Sequence, residues 1–191
     1  EVLRMSGVQL LPKSKPFDLT LRAGEVTGVF GLLGSGGNQL AHGIFGSERF
    51  LGGTMTLLGE RYAPKAPADA IAREVFMVPE DRVAGTLIKE WTVAMIASFP
   101  FLGDVSRWSV LDSRAESDLG RSVIEEFGVL AQSEADPVMS LSGGNQQKVV
   151  VGRWLRKRPT VMVLNEPFQG VDVGARHDLA DKAREVAAAG S

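Results

Sequence analysis

The sequence predicts an α/β fold with a mostly parallel sheet and helices on its faces. Three observations carry that prediction. Apolar, β-branched runs alternate with helical patterns along the chain. A glycine loop at 31–38 stands between one such run and a helix. A second pair of glycines, Gly143 and Gly144, opens another helix ahead of the apolar run 161–164. At 191 residues and 44% hydrophobic, the chain is long enough for one core and a small inserted lobe. A net charge of -2 offers no basic field for nucleic acid. The absence of cysteine excludes disulfides and cysteine-ligated metals and fits a reducing cytoplasm. No apolar run approaches the roughly 20 residues that cross a bilayer, and no signal peptide is visible, so membrane association is expected to go through a partner. The chain starts at Glu1 and stops on Ala-Ala-Ala-Gly-Ser, and it reads as an excerpt of a longer polypeptide.

Taken in order, residues 25–30 (E-V-T-G-V-F) predict a buried strand after the Ala23-Gly24 turn. The helix after the glycine loop carries Leu40, Ala41, Ile44 and Phe45 at helical spacing, with Gly46 as its stop and His42 along it. Residues 54–58 predict a strand before the Gly59-Glu60 turn, 68–74 a helix, and 75–78 a short buried strand ended by Pro79. From about Arg82 to Met139 the pattern turns to helices and loops. There Ser113-Arg114-Ala115-Glu116 has the form of a capping box. Ala115, Leu119, Val123 and Phe127 follow every fourth residue, Ile124 widens the stripe, and Gly128 closes it. The domain reading is a core of 1–81 and 140–191 with a helical subdomain at 82–139 inserted into it. A helix over about 144–157 stops before Pro159, the run 161–164 predicts a strand, and a last helix from about Gly174 carries Leu179, Ala183, Val186 and a surface His177.

The glycine loop reads G-L-L-G-S-G-G-N. Gly31, Gly34, Ser35 and Gly36, after a strand and before a helix, suit a phosphate cradle in which backbone N–H groups and the helix dipole face an anion. The full pattern continues with a lysine for the β- and γ-phosphates and a hydroxyl for Mg²⁺, and this chain has Gly37 and Asn38 in those places. The missing charge removes on the order of 2–5 kcal/mol. Asn38 offers either an amide oxygen to a metal or a cap to the helix. Taken alone, the loop reads equally well as an ordinary strand-to-helix turn.

The run V-M-V-L-N-E-P at 161–167 has the form of the strand that ends in a metal-holding aspartate followed by a glutamate. Asn165 takes the place of the aspartate, and Glu166 keeps that of the candidate general base, idle unless water and phosphate stand beside it. The plain alternative is a strand-end turn with a solvated glutamate. In LSGGNQQK at 141–148, Ser142 offers a hydroxyl and Gly143 and Gly144 leave backbone N–H groups open at a helix start. The plain alternative there is Ser142 as an N-cap.

LSGGNQQK with Val149-Val150, in order between the glycine loop and the acidic strand end, resembles the signature of the ATP-binding cassette (ABC) family, specifically its bacterial importers of monosaccharides and related solutes. The resemblance covers nearly the whole chain. V-P-E-D-R at 78–82 is similar to a segment of the second cassette of such tandem proteins, with Glu80 near the usual coupling-loop glutamine. G-V-D-V-G-A-R at 170–176 is similar to the loop after the acidic strand, with Asp172 as its aspartate. The resemblance implies a P-loop NTPase core with a small antiparallel β part and an inserted helical subdomain, and ATP and Mg²⁺ as cofactors. Its implied partners are the N-terminal cassette of the same polypeptide, packed head to tail, transmembrane permease subunits, and indirectly a periplasmic solute-binding protein. It also implies a peripheral place on the cytoplasmic face of the bacterial inner membrane. Phe168 departs from the family's small polar residue. The altered Gly37, Asn38 and Asn165 beside an intact signature predict an asymmetric ATPase, in which this cassette serves its partner's ATP and is itself weak or inactive. A silent docking or regulatory module and a soluble ABC-type ATPase of the DNA-repair class stay open as alternatives.

Overall fold

The computed structural model describes residues 1–81 and 85–190. Along the chain lie β1 (Leu3–Gln9), β2 (Phe17–Leu21), α1 (Gly37–Phe45), β3 (Gly52–Leu57), β4 (Glu60–Tyr62), α2 (Pro67–Ile71) and β5 (Val75–Val78). They are followed by α3 (Val93–Ser98), a 3₁₀ turn (Phe99–Val105), the two-residue strands β6 (Ser106–Arg107) and β7 (Val110–Leu111), and α4 (Ser113–Phe127). A 3₁₀ turn (Val138–Ser140), α5 (Gly143–Leu155), β8 (Val161–Leu164) and α6 (Val173–Ala188) complete the order. The elements fall into two compact units: Glu1–Met77, Arg158–Asn165 and Arg184–Ser191 in the first, Val78–Lys157 and Glu166–Ala183 in the second.

The first unit is built on an antiparallel sheet in the order β2-β1-β3-β4, beside a parallel pair, β5 with β8. Leu3, Met5 and Val8 of β1 all point into the core although their spacing is not strictly two. A register shift between Met5 and Val8 absorbs the extra residue. Gly7 takes φ +60 at that bulge, and its N–H donates to Asp18 Oδ1 at 2.7 Å. Leu40, Ala41, Ile44 and Phe45 of α1 pack against Leu3, Met5, Met55, Leu57 and Tyr62 in one cluster that also takes in Val75, Met77 and Val161. The Tyr62 hydroxyl donates to the Ile44 carbonyl at 2.9 Å, fastening β4 to the last turn of α1, and burial pushes this phenol above its ordinary range. Gly46 ends α1 in the left-handed conformation, as its place in the sequence predicts.

The expected strand over 25–30 does not form. No residue of that run is in a described strand, and Val26, Val29 and Phe30 are exposed. An apolar run becomes a doubly buried strand only when strands pair with it on its edges, and among the described residues β5 and β8 pair with each other alone. The α/β class itself stands. Strands β1, β2 and β4 come from stretches whose alternation was too short or too interrupted to predict them.

The second unit is mainly helical. Val93, Ile96 and Ala97 of α3, Leu119, Val123 and Phe127 of α4, and Val149, Val150 and Trp154 of α5 are buried. Two glycines set the spacing of these helices. A Cβ on Gly120 would lie 2.8 Å from the Ala94 Cα, and one on Gly152 would lie 2.7 Å from the Phe127 ring. The cap of α4 is Asp112 rather than the expected Ser113. Its Oδ1 accepts from the N–H groups of Arg114 and Ala115 at 3.0 and 3.1 Å. Glu116, the far member of the expected box, is buried and accepts from the Ser98 hydroxyl at 2.6 Å, so a tertiary bond has taken the side chain that the local motif needed. Gly128 closes α4 in the left-handed conformation, as predicted. Arg153 is buried, with Nη1 donating to the Ile96 carbonyl at 3.3 Å, and burial pulls its guanidinium down to about 10. No helix among the described residues is long and apolar enough to cross a membrane.

Candidate functional site

Of the residues singled out in the sequence, the glycine loop and Asn165 lie in the first unit, and Glu80, Ser142, Gly143, Gly144, Glu166 and Asp172 in the second. In the first unit the glycine loop is open to solvent: Leu33 is fully and Leu32 mostly exposed, and Gly31, Gly34 and Ser35 are exposed with them. Gly34 and Gly36 take φ of +80 and +105, a region that costs any residue with a side chain roughly 1–2 kcal/mol. Gly36 is buried, and a Cβ there would press on Leu10, so the loop's last turn needs glycine for shape and for space. The Ser35 N–H donates to the Leu32 carbonyl at 2.9 Å, and its hydroxyl folds back onto Gly31. Gly36 is also the N-cap of α1 and has no side chain with which to cap it. Gly37 begins the helix with open space around the site of a Cβ.

Asn38 does not cap α1; it sits inside the helix. Its Oδ1 accepts from Asn165 Nδ2 at 3.1 Å, joining the start of α1 to the end of β8 across 127 residues of sequence. Both side chains are half-buried. The two residues that the sequence reading put at altered metal positions are therefore brought together, as a hydrogen-bonded pair of neutral amides. Magnesium asks for a near-octahedral set of oxygens, with one or two carboxylates among them. These residues do not fit it. While the two amides stay bonded, one of the pair commits its NH₂ to the other, and both can present oxygen only if that bond breaks. Among the described residues no group of three or more His, Asp or Glu converges on a point that could hold a metal.

In the second unit Ser142 is the N-cap of α5, and it is exposed. Its Oγ accepts from Asn145 Nδ2 at 2.9 Å and from the Asn145 N–H at 3.4 Å. Asn145 Oδ1 in turn accepts from the Leu130 N–H at 2.8 Å. With Asn145 donating twice to its oxygen, the Ser142 hydroxyl keeps its own proton for donation. Asn145 was not singled out in the sequence for a role of its own; the readable signal is its spacing three residues after Ser142, on the same face of the helix. Gly143 is half-buried and Gly144 buried. Asp172 caps α6, its Oδ1 accepting from the Ala175 N–H at 2.9 Å, and a Cβ on Gly144 would lie only 2.7 Å from Asp172 Oδ2. The signature glycine and the aspartate of the following loop are thus in contact, and glycine at 144 makes room for that contact.

Lys148 is structural. Its ammonium donates to Asp178 Oδ2 at 2.8 Å and to the Gly128 carbonyl at 3.2 Å, joining α5 to α6 and to the end of α4. That bond and its charge hold the Asp178 carboxyl below its ordinary range. Glu166 is exposed and takes φ +46, a conformation costing roughly 1–3 kcal/mol in a residue with a side chain. Its carbonyl accepts from the Gln169 N–H at 3.2 Å in a tight turn. Arg176 stacks over Phe168 at 5.8 Å. Glu80 is exposed just past β5, and Arg82 of the same segment lies outside the described residues. His177 is exposed on α6, and His42 lies on α1 with Nδ1 2.7 Å from the Ser47 hydroxyl.

Residues 14–169 match the family model described as ABC transporter. The chain belongs to the ABC transporter family. Among curated members of the family, the cassette is 38% identical over 172 residues to the ribose import ATP-binding protein RbsA 3 of Rhizobium etli, covering 90% of this chain and 34% of that protein. It is 33% identical over 180 residues to the arabinose import ATP-binding protein AraG of Yersinia pestis, covering 94% of this chain and again 34% of the relative. The chain thus spans about a third of the length of these relatives. A nucleotide-free ATP-binding cassette from an ABC transporter shares the fold of the cassette with a TM-score of 0.81 at 22% identity, covering 100% of this chain and 78% of that one. An ATP-binding subunit of an ABC transporter does so with a TM-score of 0.74 at 21% identity, covering 100% and 77%.

Proposed function

We propose that this cassette is the signature-donating partner in an asymmetric, ATP-driven importer of a sugar or related small solute. The observation that carries the reading is Ser142: it is exposed at the N-terminus of α5, with Asn145 donating to its oxygen so that its proton is left to donate. A hydroxyl, two glycine N–H groups and a helix dipole form a donor set for the terminal phosphate of a nucleotide held by another cassette. The named sugar-import relatives support the solute class. That this cassette follows an N-terminal cassette in one polypeptide is part of the same reading, and what supports it is the similarity of V-P-E-D-R at 78–82 to a second cassette's segment.

In this arrangement the partner cassette holds ATP and Mg²⁺, and Ser142, Gly143 and Gly144 stabilise charge on the γ-phosphate as it transfers to water. Asp172, against Gly144, keeps the loop after the strand seated beside the signature helix. The cassette's own site has Gly37, Asn38 and Asn165 where lysine, hydroxyl and carboxylate belong, so it binds nucleotide weakly, and Glu166 has no activated water to serve. Closure of the cassette pair drives permease subunits through the region of Glu80 and the helical segment 82–139, with a periplasmic binding protein delivering the solute. The complex stands on the cytoplasmic face of a bacterial inner membrane.

The test uses the full two-cassette protein with its permease in liposomes. Ser142→Arg is expected to reduce ATPase and uptake at least a hundredfold, whereas Glu166→Gln is expected to leave both within twofold. Unchanged turnover in Ser142→Arg, or a large loss in Glu166→Gln, refutes the assignment of roles.

A further inference from the structure

In the loop that would receive this cassette's own nucleotide, the Asn38–Asn165 pair stands where a cation and its carboxylate ligand belong. We propose that this amide pair replaces the cation: the site holds no divalent metal in any state, and whatever phosphate-bearing ligand enters it binds metal-free. The proposal rests on the reading of residues 31–38 and 165 as a degenerate nucleotide site, and it goes further by saying what substitutes for the lost chemistry.

The argument is one of charge and of donors. Gly31–Asn38 contains no ionisable side chain, and Asn165 is neutral. A lysine, a carboxylate and a divalent cation normally balance one another around a polyphosphate. Removing the carboxylate removes the attraction for the cation, and removing the lysine removes the fixed positive charge that the carboxylate would have offset. The two losses are mutually consistent, and these positions themselves carry no charge. There Asn165 Nδ2 and Asn38 Oδ1 satisfy each other at 3.1 Å. To admit a metal, the pair would have to break, turn one amide over and strip water from an ion that dehydrates reluctantly, with no carboxylate at either position to compensate. The pair also does mechanically what a shared cation would do, since it fastens the first turn of α1 to the end of β8. Because it needs no ligand, the fastening persists whether or not nucleotide is present.

The test is Mn²⁺ alone, titrated to 1 mM into the ¹⁵N-labelled chain and followed by NMR. The Asn165 side-chain NH₂ signals are identified by their loss in Asn165→Asp. They are expected to keep more than half their intensity in the parent chain, while the backbone signals around position 165 broaden away in Asn38→Thr/Asn165→Asp. Bleaching of the parent's Asn165 signals at substoichiometric Mn²⁺ overturns the proposal. If the double variant does not fold, the parent's response together with that of Asn165→Asp decides. A second arm titrates ATP calorimetrically, once with Mg²⁺ and once with a chelator. Equal affinities within twofold support the amide pair, and binding at least tenfold tighter with Mg²⁺ overturns it. Equal micromolar binding in both conditions would instead overturn the weak-site reading and leave the metal-free site standing. If ATP binds in neither condition, the Mn²⁺ result is decisive.

Discussion

Adding one methyl group to the signature helix tests how tightly it is seated. In Gly144→Ala the new Cβ would lie 2.7 Å from Asp172 Oδ2 and 3.0 Å from the Ala175 Cβ. The carboxylate cannot simply swing away, because its other oxygen caps α6 through the Ala175 N–H at 2.9 Å. Losing that cap costs about 1 kcal/mol, and crowding a packed contact costs roughly 1–3 kcal/mol. Replacing glycine by alanine within a helix returns up to about 1 kcal/mol, less this close to the N-terminus. The net expectation is a destabilisation of about 2 kcal/mol, which lowers Tm by about 4–8 °C in a chain of this size. Circular dichroism melting of the 191-residue chain measures it. The cause is isolated by repeating the change in an Asp172→Ser background, where the cap is kept and the crowding oxygen is gone. There Gly144→Ala is expected to cost about 1 kcal/mol less. A Tm equal to or above the parent's in Gly144→Ala, or an equal penalty in both backgrounds, would refute the contact as described.

Three further outcomes follow from the same geometry. Gly37→Lys enters open space, so it is expected to leave Tm within 2–3 °C, equivalent to about 1 kcal/mol, and to tighten ATP at least tenfold in calorimetry. Tyr62→Phe strips the Ile44 carbonyl of its buried donor and is expected to cost about 1–2 kcal/mol in urea unfolding, with no change in m. Asp178 has a folded carboxyl lowered by Lys148, so the pair contributes stability that is fully present above the unfolded value near 4 and is lost as pH falls through the lower folded value. Lys148→Met is therefore expected to flatten the acid limb of the stability profile measured between pH 5 and about pH 2.

Chain punctuation was the most legible part of the sequence. Gly46 and Gly128 end their helices in the left-handed conformation because few other residues accept it, and that requirement is local. Ser142 was legible for the same reason, since a hydroxyl before two glycines has a local use as a cap whatever else it does. What escaped was decided by neighbours. Asp112 and Ser113 are adjacent capping residues, and the choice between them turned on Ser98 capturing Glu116 from another helix. The run 25–30 has the composition of a buried strand, but composition cannot supply the strands that must flank it. β1 was hidden by its own bulge, which sets Leu3, Met5 and Val8 out of alternation. Asn38 and Asn165 were each legible as altered residues. Their hydrogen bond was not, because nothing in either segment points to a partner 127 residues away.

The stretch from Val26 to Leu33 has a consequence for the behaviour of the chain in solution. Val26, Val29, Phe30, Leu32 and Leu33 are exposed together, in a segment whose nearest charge is Glu25. Such a segment combines β-forming side chains, low charge and backbone groups that no described strand occupies, and it carries no proline or lysine to blunt its edges. It is a template on which a second molecule can lay down a strand. Val29→Lys is therefore expected to lower the self-association of the isolated chain in light scattering, as a gatekeeper charge within that segment.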